Sequence, residues 1–169
     1  MATHIIPILG HGTLPDTSGS VYQEPAAVNF QANDRYPHMV WVFADTSTRL
    51  TLGGTFRVPN NYVGTAKILV VWGTTVTTGK VVWEFNYTAI AATESADPSA
   101  DQEAVTSTGT TVPGTARLYA QETITLTSTN FAAGDTVQFG LARDGLDTTN
   151  DTAAASAYVA GVFFQYDDA

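Results

Sequence analysis

Three aspartates close together in the sequence have the residue type and spacing that could hold a metal ion. Asp144, Asp147 and Asp151 share one short segment with Asn150 and Gly145, and calcium prefers hard oxygen ligands of this kind. Their spacing differs from that of an EF-hand loop, and a turn solvated by short polar side chains explains the same residues. We therefore expect a turn, with no metal and no cofactor, and keep a calcium site as the alternative.

Residues that could perform catalysis do not form a recognisable pattern. A glycoside hydrolase needs two carboxylates that line a cleft, but Glu84 and Glu122 fall on strand faces that we expect to be solvated. His4, His11 and His38 do not have the spacing of metal ligands. The sequence has no nucleophile elbow and no phosphate-binding loop. It therefore predicts a protein that is not an enzyme.

Aromatic residues on the predicted strands have two interpretations. They could form a platform on which sugar rings stack, as in lectin-like sandwiches, or they could fill a hydrophobic core. Each lies in an apolar strand pattern, which favours the core. The residues concerned are Trp41, Trp72, Trp83, Tyr87 and Tyr119.

Composition and charge exclude several classes of partner. The chain has seven basic and sixteen acidic residues and a formal net charge of −9, whereas nucleic-acid binding needs clustered lysine and arginine. It has no cysteine, so disulfides and thiolate metal sites are excluded. No segment has the length and hydrophobicity of a membrane-spanning helix, and the N-terminus lacks the basic region of a signal peptide. We expect a soluble chain made in the cytoplasm, with neither nucleic acid nor membrane as a partner.

The elements that must position these side chains are strands, and they centre on residues 55–90. Residues 67–72 are almost continuously apolar, and residues 80–88 alternate so that Val81, Trp83 and Phe85 share one face. Further strand patterns lie at residues 39–43, 50–58, 102–112, 117–129, 136–143 and 158–166. No segment has helical periodicity. The sequence predicts an all-β fold, a single antiparallel β-sandwich of about eight strands.

The first part of the chain has a different character. Residues 1–38 contain an apolar patch followed by scattered proline and glycine, which predicts an extended N-terminal arm and first edge segment, and residues 39–169 then form the sandwich. The apolar patch could be a strand on the edge of its own sandwich, or it could contact a neighbouring subunit. The predicted partner-contact residues are His4, Ile5, Ile6, Ile8 and Leu9.

The strand and turn patterns of residues 50–166 resemble a known class of virion proteins. The segments concerned are TFRVPNNYVG, LVVWGTTVTTGKVVWEFNYTAI, VPGTARLYAQETITLT, FAAGDTVQFGLARDG and YVAGVFFQY. They resemble the jelly-roll virion proteins of tailed phages, which include capsid decoration (cement) proteins and related tail modules. The resemblance identifies no individual functional residue.

What the resemblance implies is a jelly-roll β-sandwich with a structural role. Such a protein would bind the major capsid protein as a homotrimer, on the outer surface of the capsid, and stabilise the shell by bridging neighbouring subunits. The alternative is a carbohydrate-binding or receptor-binding module of a phage tail. That alternative predicts recognition near the loops at residues 91–116 or 144–157.

Overall fold

Alternating apolar and polar residues produce two antiparallel sheets that pack face to face. The structure is a computed structural model, and it describes residues 1–8, 21–25, 39–95 and 101–168. Its strands are β1 (Thr3–Pro7), β2 (Tyr22–Pro25), β3 (Met39–Phe43), β4 (Arg49–Arg57), β5 (Tyr62–Thr74), β6 (Lys80–Val81), β7 (Trp83–Ile90), β8 (Gln102–Thr106), β9 (Thr110–Thr111), β10 (Ala120–Thr125), β11 (Thr136–Asp144) and β12 (Ala157–Asp168). A 3₁₀ turn, Ser128–Asn130, follows β10.

The strand order confirms the predicted antiparallel β-sandwich of jelly-roll type. One six-stranded sheet has the order β10-β5-β12-β3-β2, with β1 also paired to β12, and the facing sheet has the order β4-β11-β7-β8. β6 and β9 form a separate two-stranded sheet. The structure thus has more strands than the roughly eight predicted, partly because β6 and β9 are two residues long, too short to show periodicity. Within the described residues, no helix is long and apolar enough to cross a membrane.

The core lies between the two sheets and is rich in aromatic rings. Trp72 of β5 and Trp83 of β7 are fully buried and pack edge to face, with 5.7 Å between their ring centroids. Phe43 packs against Trp83 at 5.2 Å, and Phe85 stacks on Phe139 at 5.2 Å. These contacts confirm that the two central tryptophans are core residues.

The N-terminal strand pairs with another strand of the same chain. β1 pairs with β12 from Thr3 opposite Asp167 to Pro7 opposite Phe163, which is the first of the two interpretations of this segment. Ile8 is buried in the core, whereas Ile5 remains 56% exposed.

The predicted partner contact of this segment, His4, Ile5, Ile6, Ile8 and Leu9, remains a prediction, and Leu9 lies outside the described residues. The division into an arm of residues 1–38 and a sandwich of residues 39–169 also remains a prediction. Residues 9–20 and 26–38, most of the predicted arm, are not among those described.

Candidate functional site

The outward face of the four-stranded sheet carries a cluster of uncharged polar side chains. On β7 the alternate residues Phe85 and Tyr87 belong to the core, so Asn86 and Thr88 point away from it. The neighbouring strands continue this outward face. It carries Gln138 and Gly140 on β11, and Gln102 and Ala104 on β8.

Strand register places these residues in two rows that cross three strands. Thr88 lies opposite both Gln138 and Gln102, and Asn86 lies opposite both Gly140 and Ala104. Directly opposite residues have their Cβ atoms about 4.5–5.5 Å apart. Side chains from β11, β7 and β8 therefore meet over one patch of the sheet.

These rows form a groove of about 530 Å³. Its lining consists of Asn86, Thr88, Gln102, Ala104, Gln138 and Gly140, together with Tyr87, Glu103 and Phe139. Strand alternation turns the side chains of the last three toward the core, so these residues contribute backbone to the groove.

The groove floor is made by residues without long side chains. Gly140 and Ala104 flank Asn86 in the same cross-strand row. A Cβ atom added at Gly140 would lie 2.9 Å from Cγ2 of Thr51, so the neighbouring strand also limits what can stand there. The small floor residues leave room for a ligand above the sheet.

The lining can form hydrogen bonds but has little means to transfer protons. Each carboxamide of Asn86, Gln102 and Gln138 both donates and accepts, and the hydroxyl of Thr88 does the same. The titratable lining residues are Tyr87 and Glu103, and they bond to each other on the core side of the sheet. The side chains of the groove can therefore offer hydrogen bonds to an uncharged ligand.

A hydrogen-bond network lies beneath the groove. The hydroxyl of Tyr87 donates to Oε2 of Glu103 at 2.8 Å, and Thr127 donates to the same carboxylate from its backbone amide at 3.0 Å and its hydroxyl at 3.0 Å. Burial alone would raise the pKa of Glu103, but these hydrogen bonds together hold it below its ordinary value. Burial, followed by the bond to Glu103, raises the pKa of Tyr87. The pair is an ionised carboxylate and a neutral phenol.

Glu84 differs from its expected position in solvent. It lies on the outward face of β7 but is only 7% exposed, because it forms an ion pair with Arg49 of β4. The positive charge of Arg49 therefore balances the negative charge of this carboxylate beside the groove. Sequence alternation identified its face but could not identify a partner 35 residues away.

The three aspartates of the calcium candidate have separate roles. Asp151 accepts two hydrogen bonds from the guanidinium of Arg143, at 2.9 and 2.6 Å. Asp147 accepts from the backbone amides of two residues in its own turn, and Asp144 accepts from the amide of Leu146.

These contacts make the segment a hydrogen-bonded polar turn, and the calcium alternative stays a prediction. Across residues 1–8, 21–25, 39–95 and 101–168, no group of three or more His, Cys, Asp or Glu is placed to hold a metal ion. Arg143 could not be identified as the partner of Asp151 from the sequence, because a single sequence does not distinguish a buried arginine on a strand from an exposed one.

The aromatic candidates do not supply a platform in the groove. Trp72, Trp83 and Tyr87 are buried, and Trp41 and Tyr119 are partly buried against hydrophobic clusters. The amide residues that do line the groove were missed by the sequence analysis. Their sequence signal was the polar residue at every second position of each strand. These polar residues form one site only because the strand register places three strands side by side.

No protein-family model matches the chain, and no curated protein matches it by sequence. Among solved structures, the chain is similar to TmCBM61 in complex with β-1,4-galactotriose, at 9% identity and a TM-score of 0.46, covering 98% of this chain and 88% of that one. It is similar to the CBM22-1 xylan-binding domain of Paenibacillus barcinonensis Xyn10C, at 11% identity and a TM-score of 0.47, covering 89% and 84%.

A further similarity is to tailspike protein 4 of bacteriophage CBA120, at 7% identity and a TM-score of 0.45, covering 96% of this chain and 19% of that one. At these sequence identities and TM-scores, the similarity concerns the β-sandwich fold alone. It does not identify a ligand or a partner for this chain.

Proposed function

We propose that this domain is a non-catalytic carbohydrate-binding module that binds a neutral glycan on the outward face of its four-stranded sheet. The observation that carries the proposal is the groove lined by Asn86, Gln102, Gln138 and Thr88 over a floor of small residues. Sugar hydroxyls both donate and accept hydrogen bonds, and so do carboxamides and hydroxyls. The lining is therefore complementary to a polyhydroxylated ligand.

Charge favours neutral sugars over acidic ones. The groove lining contains no lysine, arginine or histidine, and the whole chain has a formal net charge of −9. A uronate or sialate would find no cation in the lining and would enter the field of an acidic protein. Neutral hexose or pentose units fit this environment better.

The affinity of a single groove is expected to be modest. A typical hydrogen bond contributes a net 0.5–1.5 kcal/mol, so four polar side chains supply about 2–6 kcal/mol before the entropy cost of binding. That free energy corresponds to dissociation constants no tighter than about 40 µM. Display of several copies would raise the effective affinity by avidity.

Substitution in the groove tests the proposal. Gln138→Ala and Asn86→Ala should each weaken binding of neutral oligosaccharides at least fivefold in calorimetric titrations, because each removes a carboxamide from the lining. Gln121→Ala is the matched control, since Gln121 is exposed on β10 of the other sheet, and it should bind like wild type. Absence of saturable binding by the wild type across a panel of neutral glycans would rule the proposal out.

A structural virion protein is the second candidate, and exposed apolar side chains favour it. Ile5 of β1 is 56% exposed and Val63 of β5 is 50% exposed, and both strands belong to the six-stranded sheet. In this proposal the domain is a capsid decoration protein. Its homotrimer places the surface that carries Ile5 and Val63 against the major capsid protein, on the outer surface of the virion.

Capsids that lack the decoration protein test this second candidate. Recombinant protein should bind them and raise the temperature at which they break, and Ile5→Asp should reduce that binding by placing a charge at the contact. Thr123→Asp, at an exposed position of β10, is the control. If the wild type does not bind such particles, the virion role is wrong, and the glycan proposal is unaffected.

A further inference from the structure

One wall of the groove belongs to an edge strand. β8 supplies Gln102 and Ala104 to the lining. It lies at the end of the order β4-β11-β7-β8, so within the described residues its strand pairing is with β7 alone. An edge strand has ladder hydrogen bonds along one side only, so side-chain bonds elsewhere add to the contacts that hold it in position. The width of the groove therefore depends on the contacts that hold β8 in addition to its pairing with β7.

Glu103 provides that second attachment. It lies between Gln102 and Ala104 in the sequence, and its side chain points to the opposite side of the sheet. Its carboxylate accepts from the hydroxyl of Tyr87 at 2.8 Å and from the amide and hydroxyl of Thr127 at 3.0 Å each. Tyr87 is on β7, whereas Thr127 follows β10 of the six-stranded sheet. One carboxylate thus joins the edge strand to both sheets.

The partners of Glu103 are themselves fixed. Tyr87 lies directly opposite Glu103 in the strand register, its ring stacks on Phe131 at 4.7 Å, and its hydroxyl accepts from Nδ2 of Asn130 at 3.0 Å. Asn130 closes the 3₁₀ turn, and its backbone amide donates to the carbonyl of Thr127. The network is closed and anchored in the aromatic core, so it can hold β8 at a defined position.

We propose that Glu103 is a positioning residue of the groove, which holds Gln102 at the separation from Asn86 and Gln138 that allows one glycan to be hydrogen-bonded from both sides. This inference rests on the proposed carbohydrate-binding function. Glu103 does not touch the ligand, because its carboxylate lies beneath the sheet. It acts through the strand that carries it.

Glu103→Ala, Glu103→Gln and the control Glu122→Ala separate positioning from general stability. Glu122 is also a strand glutamate, and the hydroxyl of Thr110 donates to it, but it lies on β10, away from the groove. Two readouts are needed. Hydrogen–deuterium exchange of residues 102–106 is measured without ligand, and the dissociation constant is measured with a neutral oligosaccharide that binds the wild type.

Glu103→Ala should speed exchange in β8 at least tenfold and weaken glycan binding at least tenfold, with protection in β5 and β12 unchanged. Glu103→Gln keeps an oxygen acceptor in place and should bind within about threefold of wild type. Glu122→Ala should change neither exchange in β8 nor binding. If Glu103→Ala does not fold, Thr127→Ala, which removes one hydroxyl donor, should show a smaller change in the same two readouts.

Three results would overturn the inference, and they are distinguishable from one another. If the wild type binds glycan and the Glu103→Ala protein binds it within twofold, the positioning role is wrong and the proposed function stands. If the wild type binds no neutral glycan, the proposed function fails, and the positioning role fails with it. Loss of binding in Glu103→Gln equal to that in Glu103→Ala, with β8 still protected, would also contradict positioning.

Discussion

Arg143 and Asp151 form an ion pair that is removed from solvent. Arg143 is 1% exposed, and besides its two bonds to Asp151 it donates to the carbonyls of Ala155 and Ala153 at 2.8 and 2.9 Å. Asp151 also accepts from the amide of Val82 at 3.1 Å. A buried charge is tolerated only when it is paired and hydrogen-bonded. This pair attaches the segment after β11 to the core.

Asp151→Asn should therefore destabilise the fold by about 3 kcal/mol, because it removes the nearer carboxylate and leaves the buried guanidinium of Arg143 with the half-exposed Asp45, 3.4 Å away, as counter-charge. Chemical denaturation measures the free energy of unfolding. Asp147→Asn is the matched control, since an amide oxygen at that position still accepts from the turn amides of Thr149 and Asn150. The control should stay close to wild type in stability. Equal effects of the two variants would contradict the structural role of Asp151.

The turn that leads into β6 depends on a glycine. Gly79 has a φ of +100°, and a Cβ atom there would lie 2.6 Å from the carbonyl oxygen of Thr152. Its own carbonyl accepts from the amide of Val112 at 3.1 Å. The turn thus lies tightly between two other segments. Only a residue without a side chain satisfies both the backbone conformation and the close approach.

Gly79→Ala should lower the free energy of unfolding by at least about 1–3 kcal/mol, the cost of a strained backbone conformation. Gly64→Ala is the control, because a Cβ atom at Gly64 meets nothing within 4 Å. The control should be neutral or slightly stabilising, since alanine restricts the unfolded chain more than glycine does. Thermal unfolding of both variants checks this, and a Gly79→Ala protein as stable as the control would refute the packing of this turn.

β1 is joined to β12 by side-chain bonds as well as by strand pairing. Asp167 accepts from the hydroxyls of Thr3 and Thr65 at 2.6 Å each. Asp168 accepts from the amide of Ala2 at 2.6 Å and lies 2.8 Å from Nε2 of His4. These bonds hold the pKa of both carboxyls below the ordinary value of 3.8. Folding therefore favours the ionised form of both carboxyls.

Acid should release β1 before it unfolds the sandwich. A carboxyl whose pKa is lowered by folding stabilises the fold above its unfolded pKa, and this contribution is lost as the pH falls through the folded pKa. The loss therefore begins as the pH falls below about 3.8. NMR amide shifts of Ile6 should then move toward unfolded values, while those of Leu141 in the core persist.

The double variant Asp167→Asn, Asp168→Asn serves as the control for this transition. It should show no such acid-dependent change, because neither amide titrates. A wild-type β1 that stays paired to the lowest pH at which the core survives would contradict the role of these carboxylates.

The fold could be predicted from the sequence more fully than the candidate site could. Alternation in residues 80–88 and 136–143 identified the core-facing residues, since burial of apolar side chains dominates the stability of a sandwich. It could not give register, and register is what places Gln138 and Gln102 on either side of Thr88. The same limit hid the partner of Asp151. Long-range pairing depends on the whole chain rather than on any local pattern.

The acidic character of the whole chain and the uncharged side chains of the groove both favour the proposed ligand class, a neutral glycan. The most direct test is a titration of isotope-labelled protein with neutral oligosaccharides, followed through the side-chain amide NMR signals of asparagine and glutamine. The signals of Asn86, Gln102 and Gln138 should shift together and saturably, and the signal of Gln121 on the other sheet should not move. If no neutral sugar shifts the three groove amides, or if the shifts map to the other sheet, the proposed binding groove is wrong.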